Sequence, residues 1–578
     1  EKIKPYLPYV RKYRFEMAVG IAALLIADLA GLSIPWLLKM FVDELPNNPS
    51  RIDLLSFGGM LFFAATIQAL SRFGWRQFLF GPSRKVERDI SNDLFSHFLS
   101  LDKSWFQKQQ VGDLMSRATN DLRAVRDFVG LGLLILVDCA VIIFSCVGLM
   151  LWINPNLTLV VLIPLPALSI LFLKYLPEIG RRYEIVQKHL SKITSHVQEN
   201  ISGVRVLHAF AQEETEKKKF DNLNKEYIQK NLSVTRLFGV FTPSLTLTVG
   251  IAGMISLWIG GEAVIAKDMT LGSFVAFNGY LLMLSWPMMG IGYVINLAQK
   301  GQVAMGRIQE IFSAKASISD NEKTIVSIND FEGDIEFRGL SFSYPRTDKA
   351  TLHDIQLKIP SGQILAVVGA IGSGKSTLAQ LIPRLYEESA GNLFIGGYPI
   401  REIPLSVLRK NIGYVDQEPY LFSASLRENI IFGNDKASNG AVNDAVQKSG
   451  LLADLNRFPD GMETTIGERG MSLSGGQVQR VALARSLIIR PKILVLDDAF
   501  SSLDAETEEN ILSNIREFTR GITTIMVSHR FSAVRKADRI ILINSGRIVE
   551  DGTHDELISI DGEYARTYRN QAFAMEME

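Results

Sequence analysis

Gly369-Ala370-Ile371-Gly372-Ser373-Gly374-Lys375-Ser376 decides how the C-terminal half of this chain folds. It follows an apolar, β-branched run, Ile364-Leu365-Ala366-Val367-Val368, and leads into a helical pattern from Thr377 onward. Between a strand and a helix, G-x-x-x-x-G-K-[ST] is a phosphate cradle. Its glycines let backbone N–H groups wrap an anion, and the helix N-terminus favours negative charge. The backbone and side chains of Gly369, Ala370, Ile371, Gly372, Ser373, Gly374, Lys375, Ser376 and Thr377 are therefore expected to hold ATP. Lys375 would reach the β- and γ-phosphates, and Ser376 would ligate Mg²⁺. A second apolar run, Ile493-Leu494-Val495-Leu496, ends in Asp497 and Asp498. An acid at the end of such a strand, beside a phosphate loop, is placed to hold Mg²⁺ through its water shell. Asp497 joins Ser376 as an expected metal-side residue.

Working outward, short β-branched runs alternate with helical patterns from about Asp334 to the end, the signature of an α/β domain over 334–578. A linker is expected over 301–333, most polar between Ser317 and Asp330. The N-terminal 300 residues read differently. The chain is 578 residues long, too long for one hydrophobic core, and 47% hydrophobic with 32 Phe. Nearly all its long apolar runs fall before residue 300. A membrane span needs about 20 mostly apolar residues, and six candidates occur: 15–41, 54–80, 129–153, 157–177, 240–260 and 271–297. The first is too long, and lacks the small-residue cleavage site, for a cleaved signal peptide.

The long connections after the second and fourth runs are basic (Arg84, Lys85, Arg88; Arg181, Arg182, Lys188), whereas the short ones carry little positive charge. The positive-inside rule places the long connections, both termini and the C-terminal domain in the cytoplasm. These connections have an apolar face and a charged face, so they read as helical extensions of the spans. The formal net charge is zero, giving no basic field for nucleic acid. The only cysteines, Cys139 and Cys146, sit in one apolar run and read as small buried residues. Asp28 and Asp138 lie within spans. They are read either as part of a polar, cation-attracting transport cavity or as a protonated or hydrogen-bonded carboxyl between helices. Asn278, Ser285, Trp286, Asn296 and Gln299 give the last span a mixed face, which either a cavity or interhelix packing explains.

Between the two apolar strands stands Leu473-Ser474-Gly475-Gly476-Gln477, which resembles the signature motif of the ATP-binding cassette (ABC) transporter family. Further motifs fall in that family's order. Tyr344 in Phe342-Ser343-Tyr344-Pro345 is similar to its adenine-stacking aromatic, and Gln417 to the loop glutamine that senses Mg²⁺ and faces the membrane domain. Ser501-Ser502-Leu503-Asp504 is similar to the loop that crosses the dimer interface. His529 in Ser528-His529-Arg530 is similar to the switch histidine near the γ-phosphate. Gly112-Asp113-Leu114-Met115-Ser116-Arg117 with Asn120-Asp121, Gly260-Gly261 through Met269-Thr270-Leu271-Gly272, and Thr465 to Gly470 resemble the exporter branch. Segments near 104–116 and 200–212 resemble its coupling helices.

The resemblance implies a membrane α-helical domain of six transmembrane helices over 1–300, joined to an α/β P-loop NTPase domain of the ABC type. It implies an ATP-driven exporter subunit of the inner (plasma) membrane, moving hydrophobic or amphipathic compounds, drugs or lipids. Each ATP would be clamped between one subunit's phosphate loop and the other's Ser474, Gly475, Gly476 and Gln477, so a second half-transporter is implied. One departure stands out: Asp498 occupies the place of the family's catalytic glutamate. The site with Asp498, His529 and Gln417 is expected to hydrolyse slowly, as in the degenerate half of a heterodimer. The alternatives are a homodimeric lipid or peptide exporter and an ATP-gated channel or regulator.

Overall fold

The computed structural model describes residues 6–576 except 48, 323, 346, 348, 388–391, 456, 468–472, 502–520 and 531–533. The chain forms two compact units: Glu1–Leu99 with Val111–Ala314, and Ser100–Gln110 with Lys315–Glu578. Part of the exporter-like segment before the signature, Glu468 to Gly470, and Ser502, Leu503 and Asp504 of the interface-loop motif lie outside the described residues.

Among the described residues, the first unit is built on six helices long and apolar enough to cross a bilayer: α1 (Arg14–Asn47), α2 (Arg51–Ser100), α3 (Val111–Ile153), α4 (Pro155–Ser202), α5 (Glu213–Ile265) and α6 (Leu271–Phe312). At 1.5 Å per residue, the 53 residues of α5 are far longer than a hydrocarbon core is thick. The apolar centre spans and the charged part extends beyond. Asn154 caps the first turn of α4 by accepting from Leu157 N (3.0 Å), and Pro155 takes its first position, so α3 and α4 form a tight hairpin. The core joins Cys146, Met150, Leu157, Phe277, Tyr280 and Leu284. The cysteines are buried and unbonded. By contrast, only 6% of the most apolar window of α2 is buried, leaving its Phe and Leu side chains outward.

The exporter-like motifs of this unit acquire physical reasons. Arg117 pairs with Asp113 (2.8 Å) and Glu310 (2.9 Å), while Arg307 pairs with Asp113 (2.7 Å) and Asp121 (3.3 Å), tying α3 to α6. Gly272 N donates to Asp43 Oδ1 (2.8 Å), and a Cβ at Gly272 would stand 2.2 Å from Lys39 O, so only glycine permits this approach. The expected linker differs at its start. Residues 301–312 continue α6, because Ala304, Met305, Ile308 and Ile311 form a buried stripe at helical spacing.

Among the described residues the second unit contains ten strands: β1 (Ile335–Phe342), β2 (Leu352–Ile359), β3 (Ile364–Val368), β4 (Leu393–Ile395), β5 (Tyr398–Pro399), β6 (Ile412–Val415), β7 (Ile493–Asp497), β8 (Thr523–Val527), β9 (Arg539–Asn544) and β10 (Arg547–Gly552). An antiparallel sheet runs β2-β1-β4-β5, and a larger sheet runs β10-β9-β3-β8-β7-β6. In the latter, β9, β3, β8, β7 and β6 are parallel and β10 is antiparallel. Its central strands are covered on both faces, which is why they read as continuous apolar runs. Ile493 and Val495 pack with Phe337, Leu365 and Ile525, whereas Leu494 and Leu496 pack with Leu483 and Leu487.

Segment 100–110 belongs to this unit. Asp102 caps the short helix Lys103–Phe106 through Trp105 N (3.1 Å) and accepts from Ser317 N (2.7 Å) and Oγ (2.6 Å). Burial works against that carboxylate, yet the bonds from Ser104 and Ser317 hold it down at about 2. In the first unit, the other segment expected near a coupling helix forms the helix Val204–Ala209, with Val206 and Phe210 exposed.

Candidate functional site

Strands β6, β7, β8 and β3 are adjacent and in parallel register, Val415 opposite Leu496, Asp497 opposite Val527, and Val367 opposite Val527. Their C-terminal ends therefore fall along one edge. Residues distant in sequence meet there: Gln417 after β6, Asp497 and Asp498 at the end of β7, His529 after β8, and the phosphate loop after β3. Ligand sites of open parallel sheets form at such an edge.

The loop backbone is unusual where it must be. Gly369, Gly372 and Gly374 have φ of +148°, +81° and +105°. A Cβ at Gly369 would stand 2.1 Å from Ile543 O. The turn delivers Lys375 to the start of α7 (Lys375–Leu381), where it is 4% exposed and donates from Nζ to Gly369 O (2.9 Å) and Ala370 O (2.8 Å). The ammonium is thus folded over the cradle it would share with phosphate. Burial pushes Lys375 down, opposed by the Asp498 and Asp497 carboxylates.

Ser376 Oγ donates to Asp497 Oδ1 (2.8 Å). Asp497 is 1% exposed, and among the described residues nothing bonds its Oδ2. Burial pushes its carboxyl up to about 6; the Ser376 bond opposes this, and nearby Asp416 and Asp498 add to it. A hydroxyl beside a buried carboxylate oxygen with no donor is a hard-oxygen donor set that fits Mg²⁺. Asp498 has φ +50°; its N donates to Val527 O (3.0 Å), and its O accepts from Ser501 N (3.3 Å). His529 is pushed down by burial and by Lys375, with Asp498 opposing, so all three share one electrostatic neighbourhood. Gln571 Nε2 donates to His529 O (2.8 Å).

Tyr344 lies at the margin, its hydroxyl bonded to Thr377 Oγ1 (2.9 Å) and its ring edge-on to Phe342 and Tyr386. Gln417 is exposed, with its N donating to Asp416 Oδ1 (3.0 Å). Ser474 caps α8 (Gly475–Leu487): Ser474 Oγ accepts from Gln477 N (3.3 Å), and Ser474 N donates to Gln477 Oε1 (2.9 Å). Gln477 Nε2 also reaches Asp454 Oδ1 (3.2 Å), whose other oxygen takes both Nε and Nη2 of Arg480 (3.0 and 2.6 Å). Asp454 and Asp416 went unrecognised in the sequence. Asp416 had a signal, since it precedes Gln417 at the end of a strand beside Asp497. Among the described residues no hydrogen bond joins Ser474–Gln477 to residues 369–377.

Residues 17–288 match the ABC transporter transmembrane region, and residues 352–501 match the ABC transporter domain. The chain belongs to the ABC transporter family. It is 36% identical over 573 residues to the probable multidrug resistance ABC transporter ATP-binding/permease protein YheI of Bacillus subtilis (strain 168), covering 98% of this chain and 97% of that one. It is 31% identical over 558 residues to the multidrug resistance-like ATP-binding protein MdlA of Escherichia coli (strain K12), covering 96% and 93%. Its fold is like that of a bacterial Atm1-family ABC exporter solved with ATP bound, with a TM-score of 0.77 at 24% identity over 97% of this chain and 98% of that one. The chain is thus half of an ABC exporter, an ATPase coupled to transport. It is a multi-pass protein of the inner membrane with its nucleotide-binding domain in the cytoplasm. Exporters of this fold work as dimers.

Proposed function

We propose that this chain is the slow-site half of a heterodimeric exporter of hydrophobic or amphipathic compounds, drugs or lipids. The multidrug-type names of its relatives support that class of cargo. The observation that carries the slow site is Asp498. Its backbone is fixed at φ +50° and tied to β8 through Val527 O. A side chain one methylene shorter than glutamate cannot recover the lost reach by a backbone shift. A misplacement of about 1 Å costs on the order of 100-fold in rate.

In this reading Gly369 to Thr377 cradle the phosphates, Lys375 leaves its loop carbonyls for the γ-phosphate, and Tyr344 borders the adenine. Ser376 and Asp497, with Gln417 nearby, would hold Mg²⁺, which supplies charge neutralisation at the β- and γ-oxygens. Asp498 and His529 orient the attacking water poorly. Ser474, Gly475, Gly476 and Gln477 are separate from this chain's own loop and cap the partner's ATP. Binding energy across two such interfaces favours a closed dimer, and hydrolysis at the partner's loop releases it.

ATP turnover of the chain purified alone tests this directly. Turnover of the chain alone is expected to be low, and in the dimer assembled with its partner Asp498→Glu should raise turnover above that of the unaltered dimer. Robust turnover by the chain alone, abolished in Asp498→Asn, contradicts the slow-site reading.

A further inference from the structure

Two carboxyls inside the membrane unit are left without a counterion. Asp28 on α1 is 8% exposed, and its Oδ2 finds no donor among the described residues. Its side chain comes within hydrogen-bonding reach of Asp138 on α3, which is only half-buried. Two carboxylate oxygens cannot bond each other; something positive, a proton or a cation, must stand between them.

The nearest cation is Arg72 on α2. Gln68, one turn earlier on that helix, presses on α1 at Gly31, where a Cβ would stand 2.4 Å from Gln68 Nε2. The helices run in opposite directions, which sets Arg72 level with Asp28, and its charge is felt by both acids. Yet Arg72 makes no ion pair within 4.0 Å to either acid among the described residues. Two fully ionised acids against one unengaged guanidinium would carry an excess negative charge within the spans, costly unless a proton or a cationic ligand neutralises it.

We propose that Asp28 and Asp138 form a binding site for the protonated amine of an amphipathic cargo. The ammonium donates to Asp28 Oδ2 and to Asp138, entering from the half-exposed Asp138 side while the apolar body stays among the spans. A small ammonium head suits a site whose inner acid is this deeply covered; a bulky quaternary head does not. Arg72 is the competing internal cation, which keeps the empty site from repelling its own helices and weakens cation binding. The proposal rests on the export reading and narrows its cargo to amines.

The test uses the full chain in lipid nanodiscs without nucleotide. The probes are dansylcadaverine, a fluorescent primary alkylammonium, and its uncharged N-acetyl derivative. The amine is expected to bind at least about tenfold more tightly than the acetylated probe. In Asp28→Asn/Asp138→Asn the two probes should bind within about twofold of each other, and Arg72→Gln should tighten amine binding. Should the double variant not fold, Asp138→Asn alone must lose most of the preference, and Asp138→Glu must keep it. Equal binding of both probes to the unaltered chain, or a preference that survives Asp138→Asn, overturns the proposal. Because no nucleotide is involved, that result leaves the export reading standing. Intact amine binding without ATP-dependent accumulation of any amphipathic compound would overturn the export reading alone.

Discussion

Replacing Asp497 by Asn is expected to make the nucleotide-free protein more stable while removing its grip on Mg-ATP. Asp497 is 1% exposed, one of its oxygens has no donor, and burial holds its carboxyl at about 6. A carboxyl with a raised native pKa binds its proton more tightly folded than unfolded. Its favourable contribution is present below the unfolded value near 4 and is lost as pH rises through about 6. At pH 7.5 the cost of the buried charge is roughly 3 kcal/mol, and at pH 5 roughly half of that. Asn keeps the acceptor for Ser376 Oγ and never ionises. Any cost of its amide is the same at both pH values, so the change of the gap with pH is the quantity to read. For a domain of this size, 1 kcal/mol moves Tm by about 2–4 °C. In EDTA, differential scanning fluorimetry of the full chain should show Asp497→Asn melting about 6–12 °C higher at pH 7.5, with the gap narrowing by about half at pH 5. Saturating Mg-ATP stabilises the unaltered protein by about 3 kcal/mol at 100 Kd, so the gap should close or reverse. A gap that is flat with pH, or a variant that melts lower than the unaltered protein at pH 7.5 in EDTA, refutes the reasoning.

Other consequences concern the elements around the site. Asp102→Ala removes a helix cap and two bonds from Ser317, so segment 100–110 should loosen by about 1–3 kcal/mol. Limited proteolysis there should speed up, and in the unaltered chain it should speed up as pH falls from about 4 toward 2, where Asp102 takes up its proton. Asp454→Ala leaves Arg480 and Gln477 without their shared acceptor. Breaking a pair this buried costs about 3–5 kcal/mol. ATPase activity of the assembled dimer should fall, while nucleotide binding at this chain's own loop persists; loss of that binding instead would place Asp454 elsewhere in the mechanism.

The six apolar runs in the sequence fall within the six long helices, because hydrocarbon imposes a length and composition that local residues must meet. Helix ends were less legible. Residues 301–312 look polar in part, yet a buried stripe at Ala304, Met305, Ile308 and Ile311 carries α6 through them. The π-turns at Arg117–Asp121 and Phe128–Gly132 have no sequence signal, since one inserted residue per turn is settled by packing. The resemblance of the segment near 104–116 to a coupling helix pointed at Lys103–Phe106, but not at what anchors it to the second unit, because the bonds to Ser317 are tertiary. At the nucleotide edge the strand-end residues were visible singly, and the parallel order β6-β7-β8-β3 supplied what a linear reading cannot, their common edge. Asp454 escaped because its role is to brace Gln477 and Arg480, a contact between distant segments with no motif of its own.

Uptake into inverted membrane vesicles tests most directly whether nucleotide held at Gly369–Thr377 drives the spans. With this chain and its partner present, Mg-ATP should drive accumulation of a fluorescent amphipathic compound, and Lys375→Ala should abolish it. Accumulation by Lys375→Ala at the unaltered rate would contradict the account.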